Sequence, residues 1–162
     1  MAVGTSYDYH TELIDGVEVE KPLPKNLHAF IQTYLIAFLT QTLPKNYRVA
    51  SELNVICGKD RLVPDVTVIE RMARYEDGDL ADSPLLAVEI MSPGQTFASL
   101  LDKCKRLLNT GTQTCWMIWP ERREAWKLTN ADALQEAVTT LGADLPHYKI
   151  RMPLTDLWAE LD

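Results

Sequence analysis

The chain of 162 residues is 46% hydrophobic and 24% charged, a composition that excludes collagen-like, disordered and disulfide-scaffold proteins. Its length suits a single domain, 1–162, because compact domains cluster near ~100–150 residues. Three cysteines without a CxxC pair make a disulfide framework or a cysteine-rich zinc site unexpected. No apolar run reaches the ~18 residues of a membrane span, and the N-terminal segment lacks the basic and apolar regions of a signal peptide. We therefore expect a cytoplasmic protein.

The net charge of −7 argues against a protein that coats nucleic acid, because such binding depends on lysine and arginine at the phosphates. Residues 97–127 nevertheless hold six basic and three acidic side chains. Basic charge is therefore concentrated in one part of an acidic chain, although a solvated helix face explains this equally well.

The first half of the chain predicts a hairpin, a helix and two strands. Asp15-Gly16 is a strong hairpin signal within 12–20. Apolar residues then recur at i, i+3 and i+4 from Leu27 to about Thr42, with Asn26 as the expected cap. From 47 the period becomes two, which indicates strands over 47–57 and 62–70.

The second half predicts a buried strand over 85–91, an amphipathic helix over 97–109 and strands over 114–119 and 124–129. The tail mixes a short strand with a terminal helical turn. A helix between two strands indicates a crossover within a mixed sheet. The predicted fold class is α/β, with a central mixed β-sheet flanked by helices.

Two acidic residues interrupt strands that are otherwise apolar. Glu89 lies in LLAVEIM and Asp65 in LVPDVTVIE, and carboxylates are rarely buried without a partner or a metal. If the two lie side by side in one sheet, they favour a hard divalent cation such as magnesium, which can polarise a phosphate and activate a water. Alternatively, Asp65 lies in a turn after Pro64 and Glu89 at an exposed strand end; spacing alone does not separate these interpretations.

The order of the motifs resembles the PD-(D/E)XK nuclease superfamily, and within it the Uma-type family of restriction-endonuclease-like proteins. The matching segments are ELIDG at 12–16, His28 at a helix start, PDV at 64–66, VEIMSP at 88–93, a helix with Lys103 that ends at Gly111, and a tryptophan strand over 116–120. The resemblance implies a restriction-endonuclease-like core and a metal-dependent phosphodiesterase site.

The superfamily lysine falls two residues after Glu89, where this chain has Met91. In the Uma-type family a lysine of the next helix takes that place, and Lys103 matches it. Lys105 lies about as near the apolar face by helical periodicity, so only the family match favours Lys103. Glu52 also matches a family glutamate. It is either a further metal ligand or an exposed strand residue. His28 is interpreted as a capping or packing residue rather than a phosphate ligand.

Together with these residues, the resemblance implies a Mg- or Mn-dependent endonuclease acting on nucleic acid, with DNA as the favoured substrate. The resemblance assigns Asp65, Glu89 and Glu52 to the metal and Lys103 to the attacking water or the charge at phosphorus. The acidic charge predicts weak, salt-sensitive DNA binding by a monomer, which favours a homodimer. The alternative is a non-catalytic, degenerate nuclease-fold interaction protein, since Ser99, Leu107 and Trp119 replace residues that are common in the family.

Overall fold

The computed structural model describes residues 11–132 and 136–162. Three α-helices, a short 3₁₀ helix (Pro120–Arg122) and thirteen strands lie in these ranges. The helices are α1 (Asn26–Thr42), α2 (Phe97–Asn109) and α3 (Leu154–Ala159). The strands are β1 (Thr11–Ile14), β2 (Val17–Glu20), β3 (Tyr47–Ser51), β4 (Val55–Cys57), β5 (Asp60–Leu62), β6 (Val66–Glu70), β7 (Tyr75–Glu76), β8 (Asp79–Leu80), β9 (Leu86–Ile90), β10 (Thr114–Trp119), β11 (Glu124–Leu128), β12 (Thr140–Leu145) and β13 (Tyr148–Pro153). No helix within the described ranges is long and apolar enough to span a bilayer.

The central sheet has five strands in the order β11-β10-β9-β6-β3. Within it β9 and β10 are parallel and the other neighbours are antiparallel. Helix α2 connects the two parallel strands, which is the crossover that the sequence predicts. The fold is therefore α/β with a mixed sheet, in agreement with the sequence.

Alternation along β9 separates the two faces of the central sheet. Leu86, Val88 and Ile90 join the apolar cluster that contains α1, α3 and the β12–β13 hairpin. Ala87 and Met91 join the opposite cluster, which contains α2. Glu89 shares this second face by its strand period, so its carboxylate is placed in an apolar interior.

Helix α2 spans the predicted residues, and its apolar side packs on the sheet. Leu100, Cys104 and Leu107 are buried, because the spacing of three and four residues places them on one face. The helix begins with a capping box in which Thr96 and Ser99 exchange hydrogen bonds between side chain and backbone. Ser99 therefore has a structural role here.

Three details differ from the sequence-based expectations. The N-cap of α1 is Lys25, without a side-chain cap, so the predicted capping by Asn26 is wrong. The tail contains a two-stranded hairpin, β12–β13, rather than one short strand.

The third difference concerns the strands that carry the acidic residues. The strands predicted over 47–57 and 62–70 each break in the middle, and the chain passes from the five-stranded sheet to a six-stranded sheet of order β2-β1-β5-β4-β8-β7 and back. The outward break, 52–54, begins with Glu52, and the return break, 63–65, ends with Asp65. Acidic residues therefore lie where the two sheets meet.

Candidate active site

Asp65 lies directly before β6 and is 1% exposed. Its backbone N–H donates to the carbonyl of Val88 at 3.0 Å. The Ile90 N–H donates to Asp65 Oδ2 at 2.7 Å. Both bonds tie Asp65 to β9, the strand that carries Glu89.

Backbone contacts place the three predicted metal ligands in one row, with Glu52 and Glu89 on either side of Asp65. The ladders between the strands end at Ser51, Val66 and Val88. Beyond them the Glu52 N–H donates to the Asp65 carbonyl at 3.4 Å, and Asp65 binds β9 through Val88 and Ile90, the two neighbours of Glu89. The structure therefore brings the predicted acids together. Glu52 has a φ of 53°, a conformation that is uncommon for residues other than glycine.

Lys103 of α2 lies between two carboxylates, with Nζ 2.8 Å from Glu12 Oε1 and 3.3 Å from Glu89 Oε2. Glu12 Oε2 accepts a hydrogen bond of 2.8 Å from the Val63 N–H. We call Lys103, Glu12 and Glu89 the Lys103 cluster. Arg106, one turn further along α2, instead pairs at the surface with acids that include Asp102.

A second lysine, Lys21, occupies the other side of the row. Its Nζ lies 2.7 Å from Asp65 Oδ1, 2.8 Å from Glu52 Oε2 and 2.6 Å from the Val63 carbonyl oxygen. We call Lys21, Glu52 and Asp65 the Lys21 cluster. Like the Lys103 cluster, it places one ammonium between two carboxylates.

Helix α1 also contributes to the site. His28 Nε2 lies 3.1 Å from Asp65 Oδ1, so its interpretation as only a capping or packing residue is wrong. Gln32, one turn later, donates from Nε2 to Glu52 Oε1 at 3.1 Å and to the Asp65 carbonyl at 2.9 Å. The (i, i+4) spacing places both side chains on one face of α1.

Sequence reasoning missed Lys21, Glu12 and Gln32 as site residues. Lys21 follows a hairpin and precedes a proline, a position with no periodic signal. Glu12 was noticed only as part of ELIDG. A polar pair at helical spacing, His28 and Gln32 within an apolar stripe, was the one available signal for α1.

The two central carboxyl groups have opposite pKa shifts. Burial raises the pKa of Glu89 to about 8, even though the nearby Lys103 ammonium opposes this effect. Burial acts on Asp65 in the same direction, but the His28 hydrogen bond and the Lys21 charge outweigh it and lower the pKa to about 2. The neighbouring carboxylates also raise the pKa values of Lys21 and Lys103 despite burial, so both lysines are cationic near neutral pH.

The residues present suit a hard divalent cation by their donor chemistry. Carboxylate oxygens are the ligands that Mg²⁺ and Mn²⁺ prefer, and Glu89 Oε1 is buried without a hydrogen-bond partner in the described part of the chain. Across 11–132 and 136–162, however, no group of three or more His, Cys, Asp and Glu side chains is arranged to hold a metal ion. Two ammonium groups stand among the carboxylates instead.

Two clefts reach the site, one beside each cluster. The first, of about 360 Å³, is lined by Glu12, Asp102 and Lys103 together with 94–96. The second, of about 290 Å³, is lined by Lys21, Gln32 and Glu52. Pro22 lines both, so the segment 21–25 separates the two openings.

Comparison with known proteins agrees with the fold. A family model described as "Uma2: Putative restriction endonuclease" matches residues 5–147. The chain belongs to the Uma2 family. A crystal structure described as "a putative nuclease belonging to DUF820 from Anabaena variabilis" has a similar fold, with a TM-score of 0.79 and 25% identity over 94% of this chain and 91% of that one. No curated protein matches the chain.

Both descriptions are of nucleases, so the Uma2 relationship and the fold support a nuclease-like function. The family departures noted in the sequence have structural roles here: Leu107 is fully buried in the α2 core, and Trp119 stacks with Phe97 and also lies under the Arg122 guanidinium. Met91 is buried in the same core as α2.

Proposed function

We propose that this Uma2 protein is a divalent-metal-dependent phosphodiesterase that cleaves nucleic acid, with DNA as substrate. The observation that carries the proposal is the row of Glu52, Asp65 and Glu89, with Lys103 beside Glu89. Buried carboxylates beside a lysine can bind a cation, activate water and stabilise charge at phosphorus.

We assign Asp65 and Glu89 as ligands of the metal, Mg²⁺ or Mn²⁺. Glu52 assists them, directly or through a water molecule. When bound, the cation would polarise the scissile phosphate and lower the pKa of a coordinated water. The Ile90 N–H fixes Asp65, and the (Lys103, Glu12) ion pair fixes the Lys103 ammonium near Glu89. From that place Lys103 would orient the attacking water or stabilise negative charge at phosphorus.

The cleft beside Lys103 is the proposed entrance for the phosphodiester. Its lining includes Glu12, Glu20 and Asp102 as well as Lys103, so its charge does not attract a polyanion. We therefore expect weak, salt-sensitive DNA binding by a monomer, and we propose that the protein acts as a homodimer.

A nicking assay on supercoiled plasmid with Mg²⁺ or Mn²⁺ tests the proposal. We expect metal-dependent nicking by the wild type and a loss of about a hundredfold or more in Glu89→Gln and Lys103→Met. Lys105→Met is the matched control, because Lys105 is a half-buried lysine on the same helix and should retain activity. Nicking that survives Glu89→Gln would point to another site or a contaminant.

One observation favours a second candidate, a non-catalytic interaction protein. Asp65 and Glu89 are each only 1% exposed, and two lysines neutralise the acids without a metal. A wild-type protein that binds neither Mg²⁺ nor Mn²⁺ and cuts no DNA would support this alternative.

A further inference from the structure

Lys21 lies in an oxygen cage that has the composition of a cation site. Three oxygens surround its Nζ at 2.6–2.8 Å, two from carboxylates and one from the Val63 carbonyl. The contacts to Glu52 and Val63 are hydrogen bonds, and the contact to Asp65 Oδ1 is an ion pair. Carboxylates combined with a backbone carbonyl are also ligands of hard divalent cations.

Groups other than Lys21 hold the cage in place. Gln32 binds the second oxygen of Glu52, and the Ile90 N–H binds the second oxygen of Asp65. The positive φ of Glu52 turns its backbone out of the strand geometry. Because these contacts do not involve Lys21, the oxygens keep their supports when the ammonium leaves.

Lys21 itself is buried, but it begins a segment that lies outside the helices and strands. Residues 21–25 form neither helix nor strand, and 22–25 are exposed. Leu23 is 78% exposed. The Lys103 ammonium differs in this respect, because it projects from the middle of a packed helix.

We propose that the Lys21 ammonium occupies the Asp65 and Glu52 side of the proposed metal site in the metal-free protein, and that a divalent cation binds by displacing it. This inference rests on the proposed metal-dependent function and adds a positioning residue to it. Lys21 holds Asp65 and Glu52 together, and it lowers the apparent affinity for the metal that replaces it.

Binding of Mn²⁺ to the full chain, followed by the electron paramagnetic resonance signal of the free ion, tests the displacement. An ammonium beside a carboxylate shifts its proton affinity by about 10- to 1,000-fold, so Lys21→Gln should bind Mn²⁺ about tenfold more tightly, or better. Lys21→Arg retains the charge and should bind no better than wild type. Lys25→Gln, on the same segment but exposed, should match wild type.

A second measurement uses the wild type alone. An amine-reactive ester, with mass spectrometry of the peptides, should label Lys21 more strongly when Mg²⁺ is present, whereas Lys25 should label equally with and without it. Lys21 that stays protected in saturating Mg²⁺, or a Lys21→Gln variant that binds Mn²⁺ as wild type does or more weakly, overturns the inference while the metal-dependent function stands. Absence of Mn²⁺ binding in both wild type and Lys21→Gln overturns both.

Discussion

The Lys21 and Lys103 clusters have the same composition, one lysine between two acids, but they differ in how completely their polar groups are paired. Every oxygen of Glu52 and Asp65 lies beside a cation or an N–H group, although Asp65 Oδ1 is held by the ion contacts with Lys21 and His28 rather than by an aligned hydrogen bond. In the Lys103 cluster the ammonium lies 3.3 Å from Glu89, and Glu89 Oε1 has no partner within the described residues. The pKa shifts of Asp65 and Glu89 are opposite as a consequence.

This difference separates a carboxylate held ionised by the protein from one whose raised pKa keeps it protonated near neutral pH. Asp65 receives backbone and side-chain donors, which favour its charged form, whereas Glu89 lies in a strand interior where burial dominates. The Asp65 carboxylate is therefore preorganised in its charged form, whereas the protonation of Glu89 changes with pH near neutrality. The predictions below test that asymmetry.

The largest expected effect is the loss of stability in Lys21→Met. Asp65 and Glu52 would then face each other as buried or half-buried anions, and removal of one partner from a buried ion pair costs about 3–5 kcal/mol. Urea denaturation at neutral pH with EDTA measures this loss. A cost below about 1 kcal/mol would show that Asp65 does not depend on Lys21.

Much of the fold followed from the sequence, because periodicity reports which faces are buried. The bounds of α2, the β9–α2–β10 crossover and the alternation along β9 were all predicted from apolar spacing. The breaks at 52–54 and 63–65 were not, because the apolar alternation continues across them while the backbone changes sheets. Their cause lies in pairing with β1 and β8, elements distant in sequence.

Only the site residues that were unusual in the sequence or matched the family could be predicted. Asp65 and Glu89 stood out as charges in apolar strands, and Lys103 came from the family resemblance. Lys21 and Glu12 lie in polar surroundings in the sequence, so nothing distinguished them from surface residues. Tertiary packing alone buries them beside the predicted acids.

The second expected effect is a pH dependence that differs between the two acids. Glu89 has a pKa raised from 4.5 to about 8 in the folded chain, so its contribution to stability is complete below pH 4.5 and is lost as the pH rises through 8. Asp65 has a pKa lowered from 3.8 to about 2. Its contribution is present above pH 3.8 and is lost only as the pH falls through 2.

Glu89→Gln should therefore gain stability relative to wild type between pH 4.5 and 8, by on the order of 2–4 kcal/mol. The matched variant Asp65→Asn should show a constant difference from wild type over that interval. Free energies of unfolding in urea, measured with EDTA at several pH values, give both profiles. Parallel profiles for the two variants would contradict the proposed asymmetry.

The smallest expected effect is that of Lys103→Met on stability. Glu89 already holds its proton near neutral pH, because its pKa is raised to about 8, and Glu12 lines a cleft that admits water, so neither acid must become a buried, unpaired anion. We expect a loss of about 1–2 kcal/mol at neutral pH in EDTA, clearly less than in Lys21→Met. Lys105→Met should stay within about 0.5 kcal/mol of wild type, since Lys105 forms no ion pair among the described residues. If Lys103→Met costs as much as Lys21→Met, Glu89 is ionised in the folded protein, and the two clusters are equivalent in charge as well as in composition.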